Sequence, residues 1–254
     1  MKKMYFAISI LVVFLGGSLW FNFWLYSANY RQYTKTESLR LNLYELEKYS
    51  STSDLPNRDR SKPLVVFFGD SRAAAWPATV NTSFEFINRG IDGQTTNQVL
   101  GRLANHVTTL SPNIIVIQVG VNDLKHVATF PDRSQFIITN CKQNIQQIVD
   151  QLTKNTQTIV ILTTIFPAGE ISPLRRFYWS SAVDRAITEV NQHIKLLKSD
   201  RVIILDAASI LVDEHGAIRQ SYSQDYLHLN NFGYTMLNKE LDKALIQILT
   251  EKPL

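Results

Sequence analysis

Three runs, NIIVIQV (113–119), TIVILTT (158–164) and RVIILD (201–206), consist almost entirely of β-branched and aliphatic residues. A strand with one wet face alternates apolar and polar positions. Runs without that alternation fit strands covered on both faces, as in a parallel sheet. LVVFF (64–68) and FEFIN (84–88) are two further strand candidates. Between them, TTNQVLGRLANHVTTL (95–110), RSQFIITNCKQNIQQIVDQLTK (133–154) and SSAVDRAITEVNQHIKLLKS (180–199) carry apolar residues every three or four positions. NNFGYTMLNKELDKALIQILT (230–250) predicts a closing helix. Alternating strands and helices imply right-handed crossovers, and predict an α/β fold: a three-layer α/β/α sandwich around a central parallel sheet. Ligands in such sheets gather at the carboxyl ends of the strands.

The N-terminus has a different character. Lys2 and Lys3 precede a stretch, Met4 to Tyr30, without a charged residue. A helix needs about 20 apolar residues to cross a hydrocarbon core of about 30 Å, and this run is long enough. Trp20, Trp24, Tyr26 and Tyr30 gather at its distal end like an interfacial aromatic belt. The run exceeds an ordinary signal-peptide core and lacks a clear Ala-x-Ala site, which favours an uncleaved anchor over a secreted form. The two lysines favour a cytoplasmic N-terminus, with the remainder outside the cytoplasm. Residues 1–30 are thus read as the anchor, 31–61 as a juxtamembrane helix (Thr34 to Tyr49) and a polar linker, and 62–254 as the folded body.

Composition removes several alternatives. Net charge is +4 over 254 residues, and the basic clusters are no longer than pairs such as Arg175-Arg176, so no nucleic-acid stripe is present. The single cysteine, Cys141, has no internal disulfide partner, and no Cys/His spacing suggests a metal site. No metal or organic cofactor is expected. Oligomeric state is not readable.

Four polar pieces fall at the ends of predicted strands: FFGDS (67–71), NRGIDGQTT (88–96), GVND (120–123) and DYLHLN (225–230). A serine hydroxyl needs a base within hydrogen-bond reach to act as a nucleophile. Histidine is the side chain suited to take and return a proton near neutral pH, which makes His228 the candidate base, and Asp225, three residues earlier, is close enough to orient it. Taken together and in this order, the pieces resemble the SGNH (GDSL-type) esterase and lipase family over nearly all of residues 62–254. The sequence lacks the Gly-x-Ser-x-Gly elbow of α/β-hydrolases. The resemblance implies a flavodoxin-like sandwich, a Ser71–His228–Asp225 triad and an oxyanion hole. The hole would be made by the Ser71 N–H, the Gly93 N–H and the Asn122 side-chain amide. Gly93 suits the family spacing better than Gly90, which is read as a turn residue.

Other residues have plainer readings. Asp70 and Asp123 are expected in turns, His126 in a solvent-facing loop with the pocket rim as the alternative, and His106, His193 and His215 on surfaces or helices. Arg72 is a candidate substrate contact, with a surface ion pair as the equal alternative. The segment FPAGEISPLRRFYW (166–179) has the length of a lid or binding loop, so Phe166, Phe177, Tyr178 and Trp179 are candidate substrate contacts, with packing against the body or the membrane as the equal alternative.

These readings converge on a membrane-anchored serine ester hydrolase working through an acyl-enzyme. The expected substrate is an O-acylated carbohydrate or envelope component, or a lipid ester. Transfer of the acyl group to a sugar hydroxyl, and a non-catalytic anchored binding module, are the alternatives.

Overall fold

The computed structural model describes residues 2–41, 43–49, 59–155, 157–172 and 179–251. The chain divides into two compact units, Met1–Glu45 and Leu46–Leu254.

The first unit is a single helix, α1 (Lys2–Leu41). Its segment Lys2–Thr36 has a mean hydropathy of 2.0 and is long and apolar enough to span a membrane, a test that an N-terminal signal sequence also meets. The sequence reading placed a separate helix over Thr34 to Tyr49. Instead α1 runs through Thr34 without a break, because neither proline nor glycine interrupts Tyr30 to Leu41. The helical pattern stops short of Tyr49, and Glu45 adopts a left-handed φ of 49°.

In the second unit a 3₁₀ turn, Leu46–Tyr49, belongs to the body. The Tyr49 hydroxyl donates to the Gly90 carbonyl at 2.8 Å, and His106 Nε2 lies 3.0 Å from the Leu46 carbonyl. The compact body therefore begins ahead of Lys62. Of the expected linker, residues 50–58 lie outside the described residues.

The body contains β1 (Leu64–Gly69), α2 (Ser71–Ala74), β2 (Glu85–Gly90), α3 (Thr96–Gly101), α4 (Leu103–His106) and β3 (Ile114–Gln118). Then come α5 (Val121–Leu124), α6 (His126–Thr129), α7 (Ser134–Asn155), β4 (Ile159–Thr163), α8 (Ser181–Leu196), β5 (Val202–Leu205), α9 (Ala207–Leu211) and α10 (Asn231–Glu251). The helix expected over 95–110 is broken in two near Gly101, a poor residue for a helix interior.

All strand pairs are parallel, in the order β2-β1-β3-β4-β5. Side chains of β1 divide between two cores. Leu64, Val66 and Phe68 pack with residues of α3, α4, α7 and α8. Val65 and Phe67 pack with Trp76 and with Leu237, Leu241 and Leu245 of α10. This two-sided burial is why the strand runs are apolar throughout; each such side chain contributes about 1.5–3 kcal/mol. Register matters most for the site. Gly69 pairs with Gly90 on one side and with Gln118 on the other, so three strand ends lie level. The crossover direction reverses between β1 and β3, which places a crevice at their carboxyl ends.

Candidate active site

Ser71 opens α2 directly beyond β1. A Cβ on Gly69 would sit 1.8 Å from the Gln118 carbonyl oxygen, so only glycine lets β1 turn here against β3. Asp70 caps α2, its Oδ1 accepting from the Arg72 N–H at 2.9 Å. Burial pushes the Asp70 carboxyl up to about 6, against the opposing pull of the Arg72 charge and N–H. Its role is that of a helix cap.

His228 comes from the loop before α10, 157 positions from Ser71. Its Nε2 lies 3.1 Å from Ser71 Oγ. On the opposite side of the ring, Nδ1 lies 2.9 Å from Asp225 Oδ2. Asp225 Oδ1 also accepts the backbone N–H groups of Leu227 at 2.7 Å and His228 at 2.8 Å, folding DYLH into a tight turn. Burial works against the charged form of Asp225. The hydrogen bonds from the His228 ring and from these two N–H groups outweigh it and hold the carboxyl below its usual range. An ionised carboxylate only accepts, so the proton of a neutral His228 sits on Nδ1, and Nε2 presents a lone pair to the serine hydroxyl. Asn230 holds the turn from beneath: its Nδ2 donates to the carbonyls of Ser221 and Ser223, and its Oδ1 accepts from Gly233 N–H at the start of α10.

The remaining strand ends bring in Gly93 and Asn122. Gly93 is exposed with φ +75°, and a Cβ there would meet open space. Its glycine is required by backbone conformation, not by crowding. Gly90 is the reverse case, since its Cβ would lie 2.2 Å from the Ala74 nitrogen of α2. Asn122 is buried, and its amide is oriented from both ends: Nδ2 donates to the Gln94 carbonyl at 3.1 Å, while Lys125 Nζ donates to Oδ1 at 2.7 Å. Asp123 accepts from the Thr96 N–H at 2.9 Å and from its hydroxyl at 2.6 Å, fastening α5 to α3. Burial raises the Asp123 carboxyl to about 6, opposed by those bonds.

Arg102 escaped the sequence reading. It is fully buried, donates to the carbonyls of Gly69 and Arg89 at 2.8 Å each, and also donates to Gln94 Oε1. It thereby ties the end of β1 to the loop that supports Asn122. Its signal was a cation on the apolar stripe Val99–Leu103. His106, read as a surface or helix residue, is buried beside it.

The expected substrate contacts fare differently. Arg72 does not reach solvent: its guanidinium donates to the carbonyls of Leu227 and Pro167 at 3.1 Å each, donates to that of Phe166, and stacks 3.7 Å from the Phe166 ring. Burial lowers its pKa to about 10, so it stays charged at neutral pH. Arg72 is a clamp joining the serine turn, the His228 loop and the segment after β4. Phe166 and Trp179 are likewise buried, the indole N–H donating to Asp184 at 3.0 Å, and neither is offered to a substrate. For these two rings packing against the body holds, since an aromatic residue in a proline-containing segment reads alike as lid or as core until the chain that covers it is in place. Phe177 and Tyr178 lie outside the described residues. Among the described residues, no group of three or more His, Cys, Asp or Glu is arranged to hold a metal.

The GDSL-like Lipase/Acylhydrolase family model matches residues 51–236. The platelet-activating factor acetylhydrolase IB subunit alpha1 of Bos taurus is 30% identical over 198 residues, covering 75% of this chain and 78% of that protein. The alpha2 subunit from Homo sapiens is 30% identical over 201 residues, 76% and 80% of the two chains. Among solved structures, a GDSL-like lipase from Bacteroides thetaiotaomicron shares the fold with a TM-score of 0.64 at 24% identity, covering 80% of this chain and 98% of its own. With this match in both sequence and architecture, the chain belongs to the GDSL-like lipase/acylhydrolase family and is a hydrolase of ester bonds.

Proposed function

We propose that Ser71 is the nucleophile of an esterase that works through an acyl-enzyme. His228 Nε2 takes the Ser71 proton as Oγ bonds to the ester carbonyl carbon. The carbonyl oxygen becomes an oxyanion, accepting from the N–H groups of Ser71 and Gly93 and from the second amide hydrogen of Asn122. Collapse breaks the bond to the alkoxy group, which leaves as an alcohol with the proton from His228. Water then enters, gives a proton to His228, and releases the carboxylic acid with Ser71 restored. Asp225 holds the ring in the required tautomer and stabilises its charged form. The carrying observation is the 3.1 Å approach of Ser71 Oγ to His228 Nε2.

The acetylhydrolase relatives favour a small acyl group such as acetyl. We assign it to a carbohydrate or envelope component outside the cytoplasm. In this reading α1 is an uncleaved anchor, its N-terminal lysines on the cytoplasmic side. The test is labelling of the full chain by a fluorophosphonate probe together with turnover of p-nitrophenyl acetate. Both are expected in the wild type and absent in Ser71→Ala. Equal labelling of the two proteins, or none of either, removes Ser71 from this role.

A further inference from the structure

A cleft of about 580 Å³ opens between the N-terminus of α3 and the segment running from α5 into α7. Its lining includes Thr95 and Asp123, which lie two positions beyond Gly93 and one beyond Asn122. Whatever occupies it lies against the loop after Gly93 and against α5, the two segments proposed to hold the oxyanion. Phe130 and Phe136 line the cleft and are 50% and 65% exposed, although large rings are ordinarily drawn inside. Amides face the same space: Asn140 carries both a donor and an acceptor, and Asn144, whose Nδ2 donates to Thr96 Oγ1 at 3.0 Å, keeps its carbonyl oxygen.

We infer that this cleft binds the sugar ring carrying the scissile acyl group. The inference rests on the Ser71 chemistry above and assigns where the alcohol side of that ester is held. A pyranose has apolar C–H faces and a hydroxylated edge, matching the Phe136 ring and the Asn140 and Asn144 amides, which follow one another at four-residue spacing along one face of α7. A long acyl chain fits poorly, because its methylenes would strip water from Asn140, Asn144 and Thr95 without replacing the lost hydrogen bonds. The volume suits one or two sugar rings. The ionisable groups of the lining are Asp123, already engaged by Thr96, His126, and Arg133, which stands exposed at the rim where solvent screens its charge, so a neutral sugar is the expected ligand. The recognition surface thus lies on the α5–α7 side, and its lining includes neither Phe166 nor Trp179, both of which are buried.

The test compares kcat/KM of the full chain on mono-O-acetylated methyl glucoside and on p-nitrophenyl acetate. Phe136→Ala and Asn140→Ala are each expected to lower the ratio of the two values about tenfold, mainly through KM for the sugar ester. Both residues lie outside the packed core, so their removal spares the fold. An unchanged ratio overturns the inference, as does wild-type preference for palmitoyl lysophosphatidylcholine over the sugar ester. Saturation-transfer NMR with unacylated methyl glucoside reads the cleft without turnover: a signal in the wild type that is lost in Phe136→Ala supports the inference, and no wild-type signal refutes it. Failure to hydrolyse any ester while that signal persists would refute the Ser71 reading alone.

Discussion

Asp225 holds His228 at two points: Oδ2 lies 2.9 Å from the ring Nδ1, and Oδ1 accepts the backbone N–H of the same residue at 2.8 Å. One carboxylate thus sets both the backbone position and the tautomer of the imidazole. Asp225→Asn retains an acceptor for the backbone but no longer selects the Nδ1–H form. We expect kcat on p-nitrophenyl acetate to fall by up to about 10⁴-fold with little change in Tm. A fall of less than about tenfold would separate Asp225 from the chemistry.

Asn122 is oriented by Gln94 and Lys125, which leaves one amide hydrogen for an oxyanion. Asn122→Ala removes that donor and is expected to lower kcat by about 10²–10³-fold, or about 3 kcal/mol of transition-state stabilisation. Steady-state kinetics with KM and kcat resolved provide the check, because loss of ground-state binding alone would move KM instead.

Gly90 and Gly93 make opposite demands. A methyl group on Gly90 collides with the backbone of α2, whereas on Gly93 it enters open space at a left-handed φ. Gly93→Ala should cost about 1–2 kcal/mol, and Gly90→Ala distinctly more, as read by thermal denaturation of the two variants. Equal losses would contradict the described packing of α2 on β2.

Arg72 satisfies the carbonyls of Leu227, Phe166 and Pro167. Arg72→Met orphans all three, and each buried carbonyl left bare costs about 1–3 kcal/mol. A large drop in Tm is the expected result. A substrate contact would behave differently, raising KM at constant Tm.

Asp70 is protonated more readily in the native state, with its carboxyl raised to about 6 by burial. The unfolded value is about 3.9. As pH rises through that window the unfolded chain sheds this proton first, so stability falls, and the full cost of about 3 kcal/mol is present above the folded value. Asp70→Asn is neutral throughout and keeps the Oδ1 acceptor for Arg72. Its Tm relative to the wild type is therefore expected to improve between about pH 4 and about pH 7. Parallel Tm curves would refute this account of Asp70.

The strands were legible because two-sided burial requires continuous apolar runs, a local property of a few consecutive residues. The motif pieces at their ends were equally legible, each being a short polar word set against such a run. Gly93 and Gly90 could be told apart only by spacing, and the physical distinction waited for the position of α2. Arg72, Arg102, Phe166 and Trp179 resisted for a different reason. Whether a cation or a ring meets solvent depends on which remote segments cross over it, and these are supplied by chain far away.

From its own order of residues the chain determined an apolar N-terminal helix, a parallel α/β sheet, and the residue types able to cleave an ester. Tertiary structure alone decided that Ser71 and His228 come within bonding distance, since parallel register levels the strand ends and a distant loop must return over them. It also made Arg72 a buried clamp, neither the substrate contact nor the surface ion pair that its sequence position suggests. Burial leaves a guanidinium no water, so it takes whatever carbonyls the neighbouring loops present.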